Sequence, residues 1–350
     1  MASSAQPYGV EPNSKRIVIV IGPGRTGTST IAGALAKSGL EVPGRAIKGN
    51  RANPSGFYEP RWVVNLHRRL LETNNVANLD SSPDALERMS RATAEQDVRE
   101  ELQVWLAKRL EEQPRLVIKD PRTVWVRDLW VDTARELGIE PAFVTMLRHP
   151  AEVSASRQTY YNDPDEVRRS DEVNRIAGWI NVSLIAERVT QGSPRSFVRY
   201  TDLVADWRKV LGRLGDTLHL DFDPAVDVTP HPVDEFIDPS LHRVHVDWAD
   251  VRIPAALRDL GENVWLALAR LSDEGESDGL SAEIGELREQ YAQMTEDALA
   301  LSRQAIRRTV FAARSRARRQ LRAQLSKQSS ASVPSAKAGG IWQRITSGRS

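Results

Sequence analysis

The chain has 350 residues and no cysteine, enough length for one large α/β domain with an appendage or for two modest domains, and without a disulfide framework, a thiolate zinc site or a cysteine nucleophile. Its formal charge of +1 hides an asymmetry: residues 301–350 carry 12 Lys and Arg and no Asp or Glu, which leaves 36 basic against 47 acidic residues in 1–300. An acidic body with a basic end points to an end that meets an acidic surface. The first residues lack an apolar signal region and a transit-peptide bias, and no apolar run approaches membrane-spanning length, so the expectation is a cytoplasmic protein, peripheral at the inner membrane face if the basic end attaches there.

Residues 1–15 read as a flexible arm. Arg16 to Leu40 then reads as strand, tight loop and helix. Ile17 to Ile21 is an unbroken β-branched run, as in a parallel strand covered on both faces. Gly22, Pro23 and Gly24 break it, and Thr26 to Lys37 has helical spacing (Ile31, Ala34, Leu35) closed by Gly39. Such a loop aims backbone N–H groups and the positive end of a helix dipole at one point, which suits a phosphate or sulfate. Gly22 and Gly27 keep the spacing of a nucleoside-triphosphate loop, but Thr28 stands where that loop needs lysine, and the positive charge has moved to Arg25. Glu41 to Pro60 is a polar loop near this cradle. Arg61–Glu72 and Pro83–Glu112 have helical spacing and cover one side of the sheet.

Leu116 to Ile118 forms a second buried strand that ends in Lys119, Asp120, Pro121 and Arg122. In an open parallel sheet, ligands bind at the carboxyl ends of strands, so this cluster should share a rim with the Gly22–Gly27 loop. Trp125–Leu137 reads as a helix, Ala142–Leu147 as a third strand, and Arg148–Arg157 as another polar corner running into a helix, with Pro150 suited to its first turn. Arg168–Thr190 is an amphipathic helix, Ser196–Tyr200 a short strand, and Thr201–Leu214 a helix capped by Thr201 or Asp202. Strands alternating with helices predict an α/β fold with a doubly wound, mostly parallel sheet. His231, His242 and His245 lie in a Pro- and Asp-rich stretch and are expected in surface or substrate loops, without a metal. Ala282 to about Gln324 reads as one long helix, with a seam of Ile284, Leu287, Tyr291, Met294, Ala298, Leu301 and Ala305 that gives way to an arginine run. The seam serves either packing on its own domain or a homodimer. The basic run is either a solvated face or a contact with an anionic membrane surface, and nucleic acid ranks behind both, because Phe311 alone makes no stacking platform. Beyond Ser326 the composition predicts disorder.

With three corners on one rim, residues 16–215 resemble the PAPS-dependent sulfotransferases, most closely their bacterial and tyrosylprotein members; the excess of 40 Arg over 8 Lys, common in GC-rich genomes, agrees with the former. The resemblance implies a P-loop-like fold and sulfuryl transfer from PAPS without a metal. It places Arg25, Thr26, Gly27, Thr28, Ser29 and Thr30 around the 5′-phosphosulfate, Arg148 and Ser156 on the 3′-phosphate, and Tyr200 beside the adenine. Lys119 would touch the transferring group. Cytosolic members carry a catalytic histidine two residues after that lysine, where this chain has Pro121. The resemblance therefore moves the base to Glu59 in NPSGFYEP, with Asp120 the second candidate and His67 and His149 without support. A cytosolic-type motif near the end is missing, and residues 240–253, with Arg243, stand in its place.

The organisation expected is an arm at 1–15, a sulfotransferase domain at 16–272, a helical basic extension at 273–325 and a disordered tail at 326–350. The acceptor is a small molecule, glycan or glycolipid offering a hydroxyl or amine. Rival readings are an atypical P-loop kinase using ATP and Mg²⁺ with Asp120 on the metal, and a degenerate nucleotide-binding protein acting through its C-terminal helix.

Overall fold

A computed structural model describes residues 14–49, 56–158, 165–237 and 247–331. The expectations for His242, His245 and Arg243, for most of the arm, and for the tail after residue 331 lie outside the described residues. Among the described residues the sheet has four strands, β1 (Arg16–Ile21), β2 (Arg115–Lys119), β3 (Ala142–Leu147) and β4 (Arg195–Arg199), all parallel in the order β2-β1-β3-β4. The chain leaves β1 for β2 on one side and returns past β1 to β3 on the other, so the carboxyl ends of β1 and β3 flank the crevice where the winding reverses.

The continuous apolar run of β1 has a direct cause. Ile17, Ile19 and Ile21 point into one layer, with Val63, Leu66 and Leu70 of α2 (Arg61–Thr73), Leu102 and Leu106 of α4 (Gln96–Glu112) and Trp130 of α5 (Arg127–Glu136). Val18 and Val20 point into the other, with Ile31 and Leu35 of α1 (Thr28–Lys37), Leu203 of α8 (Tyr200–Ala205) and Leu211 of α9 (Trp207–Leu218). Both faces are dry, so strand alternation finds no place for a polar residue. A third cluster joins Trp179, Ile180 and Leu184 of α7 (Asp165–Thr190) to Leu260, Val264 and Leu268 of α10 (Ala255–Glu274).

Several expected elements differ. Pro83–Glu112 is two helices, α3 (Ala85–Thr93) and α4, because the Thr93 hydroxyl donates back to the carbonyl of Met89 (3.2 Å) and Glu95 turns extended. The expected helix from Trp125 is preceded by a 3₁₀ turn, Pro121–Val126, and the α-helix starts at Arg127. Thr201–Leu214 is likewise broken, at Asp206, whose carboxylate, rather than the side chain of Thr201 or Asp202, supplies a cap, accepting from Lys209 N at 3.0 Å. Helix α10 was not expected, although Leu257, Leu260, Val264 and Leu268 keep helical spacing. His231 is no surface residue: it is 2 % exposed, accepts from Val233 N on Nδ1 (3.1 Å) and packs against the Trp207 ring.

The long helix is α11, Asp278–Ala331, and helix therefore continues past Ser326. Its first turns belong to the core: Leu280, Ile284, Leu287 and Tyr291 are buried in the third cluster, and Arg288 pairs with the buried Glu187 of α7 at 2.8 Å. The first half of the apolar seam thus packs on its own domain. The compact body runs through Thr295, and residues from Glu296 form a second unit.

Candidate functional site

The corner after β1 is built from backbone. Gly22, Arg25 and Gly27 all have positive φ (127°, 78° and 95°), and an arginine held there is strained unless its surroundings fix it. The Thr26 hydroxyl donates to the carbonyl of Pro23 at 2.7 Å and ties the loop from inside. Gly27 opens α1 and gives it no side-chain cap. A Cβ on Gly27 would lie 2.3 Å from Cδ2 of Tyr200, so the residue must be glycine for space as well as for conformation. Gly27→Ala should cost more than about 1 kcal/mol of stability in urea denaturation; a loss within error would mean that Tyr200 swings clear.

Arg25 donates through Nε (3.1 Å) and Nη2 (3.0 Å) to the Ser156 hydroxyl on α6 (Pro150–Gln158). Among the described residues no carboxylate pairs with it. A half-buried guanidinium held by a neutral oxygen, beside an uncapped helix start, has the chemistry that suits an anion.

Lys119, the last residue of β2 and 2 % exposed, donates from Nζ to Glu59 Oε1 (2.6 Å) and to Ser29 Oγ (3.2 Å) on the first turn of α1. Glu59 is brought there by backbone: its carbonyl accepts from Ile47 N at 2.8 Å, and the next residue, Pro60, bridges to Ala46 before α2 begins. Arg122 Nη2 stands 3.7 Å from Glu59 Oε2. Glu59, Lys119 and Ser29, residues from three separate segments, therefore meet.

Asp120 does something else. It is fully buried, Oδ1 accepts from Arg122 N and Nε (both 2.9 Å), and Oδ2 faces His67 Nδ1 at 3.1 Å. The Trp130 indole donates to His67 Nε2 at 2.8 Å, so that nitrogen accepts and Nδ1 carries the proton that Asp120 receives. Burial alone would raise the Asp120 pKa, but the hydrogen bond from His67 and the charge of Arg122 outweigh it and the net direction is down. His67 and Asp120 thus form a sealed relay that holds Arg122 toward Glu59. Trp130 was missing from the sequence expectations as part of this arrangement. The available signal was His67 itself, four residues after Val63 and so on the buried stripe of α2.

On the β3 corner, Arg148 Nε pairs with Glu152 at 2.8 Å, its guanidinium lies 4.7 Å from the centre of the Tyr200 ring, and Nη1 reaches the Arg25 carbonyl at 3.5 Å. Arg148 and Ser156 are not joined directly; Ser156 holds Arg25, and Arg25 links the two corners. Tyr200 opens α8 rather than closing β4, is buried, and burial pushes its hydroxyl pKa up. Of the remaining loop residues, Thr28 is buried and Thr30 spends its N–H on the Gly27 carbonyl (2.9 Å). His149 turns to α10, with Nε2 at 3.2 Å from Glu262.

No family model matches the chain, and no curated protein matches it. Among solved structures it is similar to the sulfotransferase domain from the Synechococcus PCC 7002 olefin synthase, at 22% identity over 77% of this chain and 98% of that chain with a TM-score of 0.41. It is also similar to the sulfotransferase domain from the curacin biosynthetic pathway, at 16% identity over 73% and 98% with a TM-score of 0.39.

Proposed function

We propose that the chain is a sulfotransferase that moves the sulfuryl group of PAPS to a hydroxyl or amine of a small molecule, glycan or glycolipid. The observation that carries this reading is Arg25: a half-buried cation with no carboxylate partner among the described residues, on a left-handed backbone at an uncapped helix start, within the same rim as Lys119 and Arg148. The three corners also bear the motifs that resemble the PAPS-dependent family.

The donor has two anionic ends, and the residues fit both. Arg25 and the first turn of α1 would hold the phosphosulfate. Arg148 would hold the 3′-phosphate chiefly through Nη2, since Nε is committed to Glu152 and Nη1 makes a long 3.5 Å contact with the Arg25 carbonyl. PAPS supplies an electrophilic sulfuryl group and a phosphate leaving group. The chain's part is positioning and charge: Lys119 spends two of its three N–H donors on Glu59 and Ser29 and keeps one for the transferring group, and Arg25 offsets the charge that develops on the leaving phosphate. Glu59 takes the proton of the acceptor as it attacks. Asp120 is a poor base and a poor magnesium ligand alike, because its oxygens already serve His67 and Arg122 inside the protein.

The test is calorimetric titration of the full chain with 3′,5′-adenosine bisphosphate (PAP) and, separately, with ATP and Mg²⁺. Tight metal-independent binding of PAP with little of ATP supports the reading; preference for Mg-ATP overturns it in favour of a kinase. Arg148→Ala should weaken PAP by tenfold or more, about the value of a charge-assisted hydrogen bond, and adenosine 5′-phosphate far less. Equal losses for both nucleotides would remove Arg148 from the 3′-phosphate.

A further inference from the structure

The second unit carries a pattern that the site above does not use. From Ala298 onward α11 has no acidic residue, and it exposes large apolar side chains: Leu299 at 49%, Leu301 at 86%, Ile306 at 49%, Val310 at 43%, Phe311 at 74% and Leu321 at 57%. Leu301 and Phe311 stand apart on the arginine side, and the other four share one face. Leu299, Val310 and Leu321 are spaced by eleven, which is close to three helical turns, and Ile306 with Ala317 repeats the same step. At about 100° per residue the five fall within an arc of about 60°. Arg307, Arg314 and Arg318 border one edge of that stripe, Arg303 lies at the azimuth of Leu321, and Arg308, Arg319 and Arg322 continue round the helix. An eleven-residue step drifts less around a straight helix than a heptad does, so the stripe stays nearly straight without supercoiling.

We infer that this part of α11 is a membrane-surface helix that lies on anionic lipid, with the Leu299–Val310–Leu321 stripe in the headgroup boundary and the arginines on lipid phosphates. No described helix is long and apolar enough to cross a membrane, so the helix lies on the surface and does not span. Charge complementarity selects the occupant. A second copy of the chain would bring a second set of arginines and no carboxylate after Asp297 to meet them. A nucleic acid would use the arginines but has no use for a straight exposed apolar stripe, whereas an anionic bilayer needs both faces.

The experiment is co-sedimentation of the full chain with vesicles of phosphatidylcholine, with and without phosphatidylglycerol. Binding should require the anionic lipid. Replacing Arg307, Arg314 and Arg318 together by Gln should weaken it about a hundredfold. Val310→Ser with Leu321→Ser, which leaves every charge in place, should weaken it by about tenfold or more. Circular dichroism melting identical to wild type assigns these losses to the surface and not to misfolding. Four results would overturn the inference: no vesicle binding, equal binding to neutral lipid, wild-type binding by the serine variant, or tighter binding to an oligonucleotide at the same salt. A stable dimer dissolved by the serine pair, without vesicle binding, would assign the stripe to self-association instead.

Discussion

Glu59→Gln should lower turnover by about 10²–10⁴ while leaving PAP bound, the loss usual for a general base. Glutamine keeps the shape and can still accept from Lys119 Nζ, which lies 2.6 Å from Glu59 Oε1, so the corner should not collapse. What it loses is the capacity to take a proton. Two readouts separate chemistry from binding: transfer of labelled sulfate from PAPS to whatever acceptor a screen yields, and calorimetric affinity for PAP. Near-normal transfer would send the base elsewhere. Loss of transfer together with loss of PAP affinity would mean that Glu59 only holds Lys119 in place.

Asp120→Ala should cost about 3–5 kcal/mol of stability, among the largest single effects available in this chain. It strands the Arg122 guanidinium and the His67 Nδ1–H inside the protein, and it removes the cap of the Pro121–Val126 turn, where Oδ1 accepts from Arg122 N at 2.9 Å. The effect depends on pH in one direction. Because the folded pKa of Asp120 lies below its ordinary 3.8, its contribution is fully present above that value and is lost as pH falls through the lower, folded value. Urea denaturation of the wild type and the Ala variant across a pH series should show a constant gap at neutral pH that narrows only under acid. A gap that opens or closes near neutrality would overturn this assignment to Asp120. If Asp120 acts through Arg122 on Glu59, the milder Asp120→Asn should lower transfer and leave PAP affinity unchanged.

Much of this was legible in the chain because the cues are local. Five β-branched residues in a row from Ile17 can be a strand only if both faces are dry, and that requirement already implies helices on two sides. The polar corners after β1, β2 and β3 follow abruptly from apolar runs, so their place at the carboxyl ends of strands needed no coordinates. The helix breaks at Thr93 and Asp206 were missed because each turns on one side chain bonding a backbone group three or four residues away, a choice that apolar periodicity does not record. His231 was placed on the surface because its neighbours are polar; the Trp207 ring that covers it comes from the start of α9, distant in the chain.

The sequence by itself determined the α/β class, the glycine-rich strand–loop–helix corner at Gly22–Gly27, and the meeting of that corner with Lys119 and Arg148, because parallel strands bring their carboxyl ends to one edge whatever joins them. Only the tertiary structure decided how those charges are shared. Ser156 went to Arg25 rather than to Arg148, Glu152 took Arg148 Nε, and Asp120 was buried between His67 and Arg122, out of reach of a substrate. Such partnerships depend on separations of a few tenths of an ångström between side chains far apart in the chain, and a strand or helix period carries no information at that scale. The same holds for α11: its spacing showed an apolar seam from Ile284 to Ala305, and packing alone assigned Leu280 to Tyr291 to the core and left Leu301 exposed.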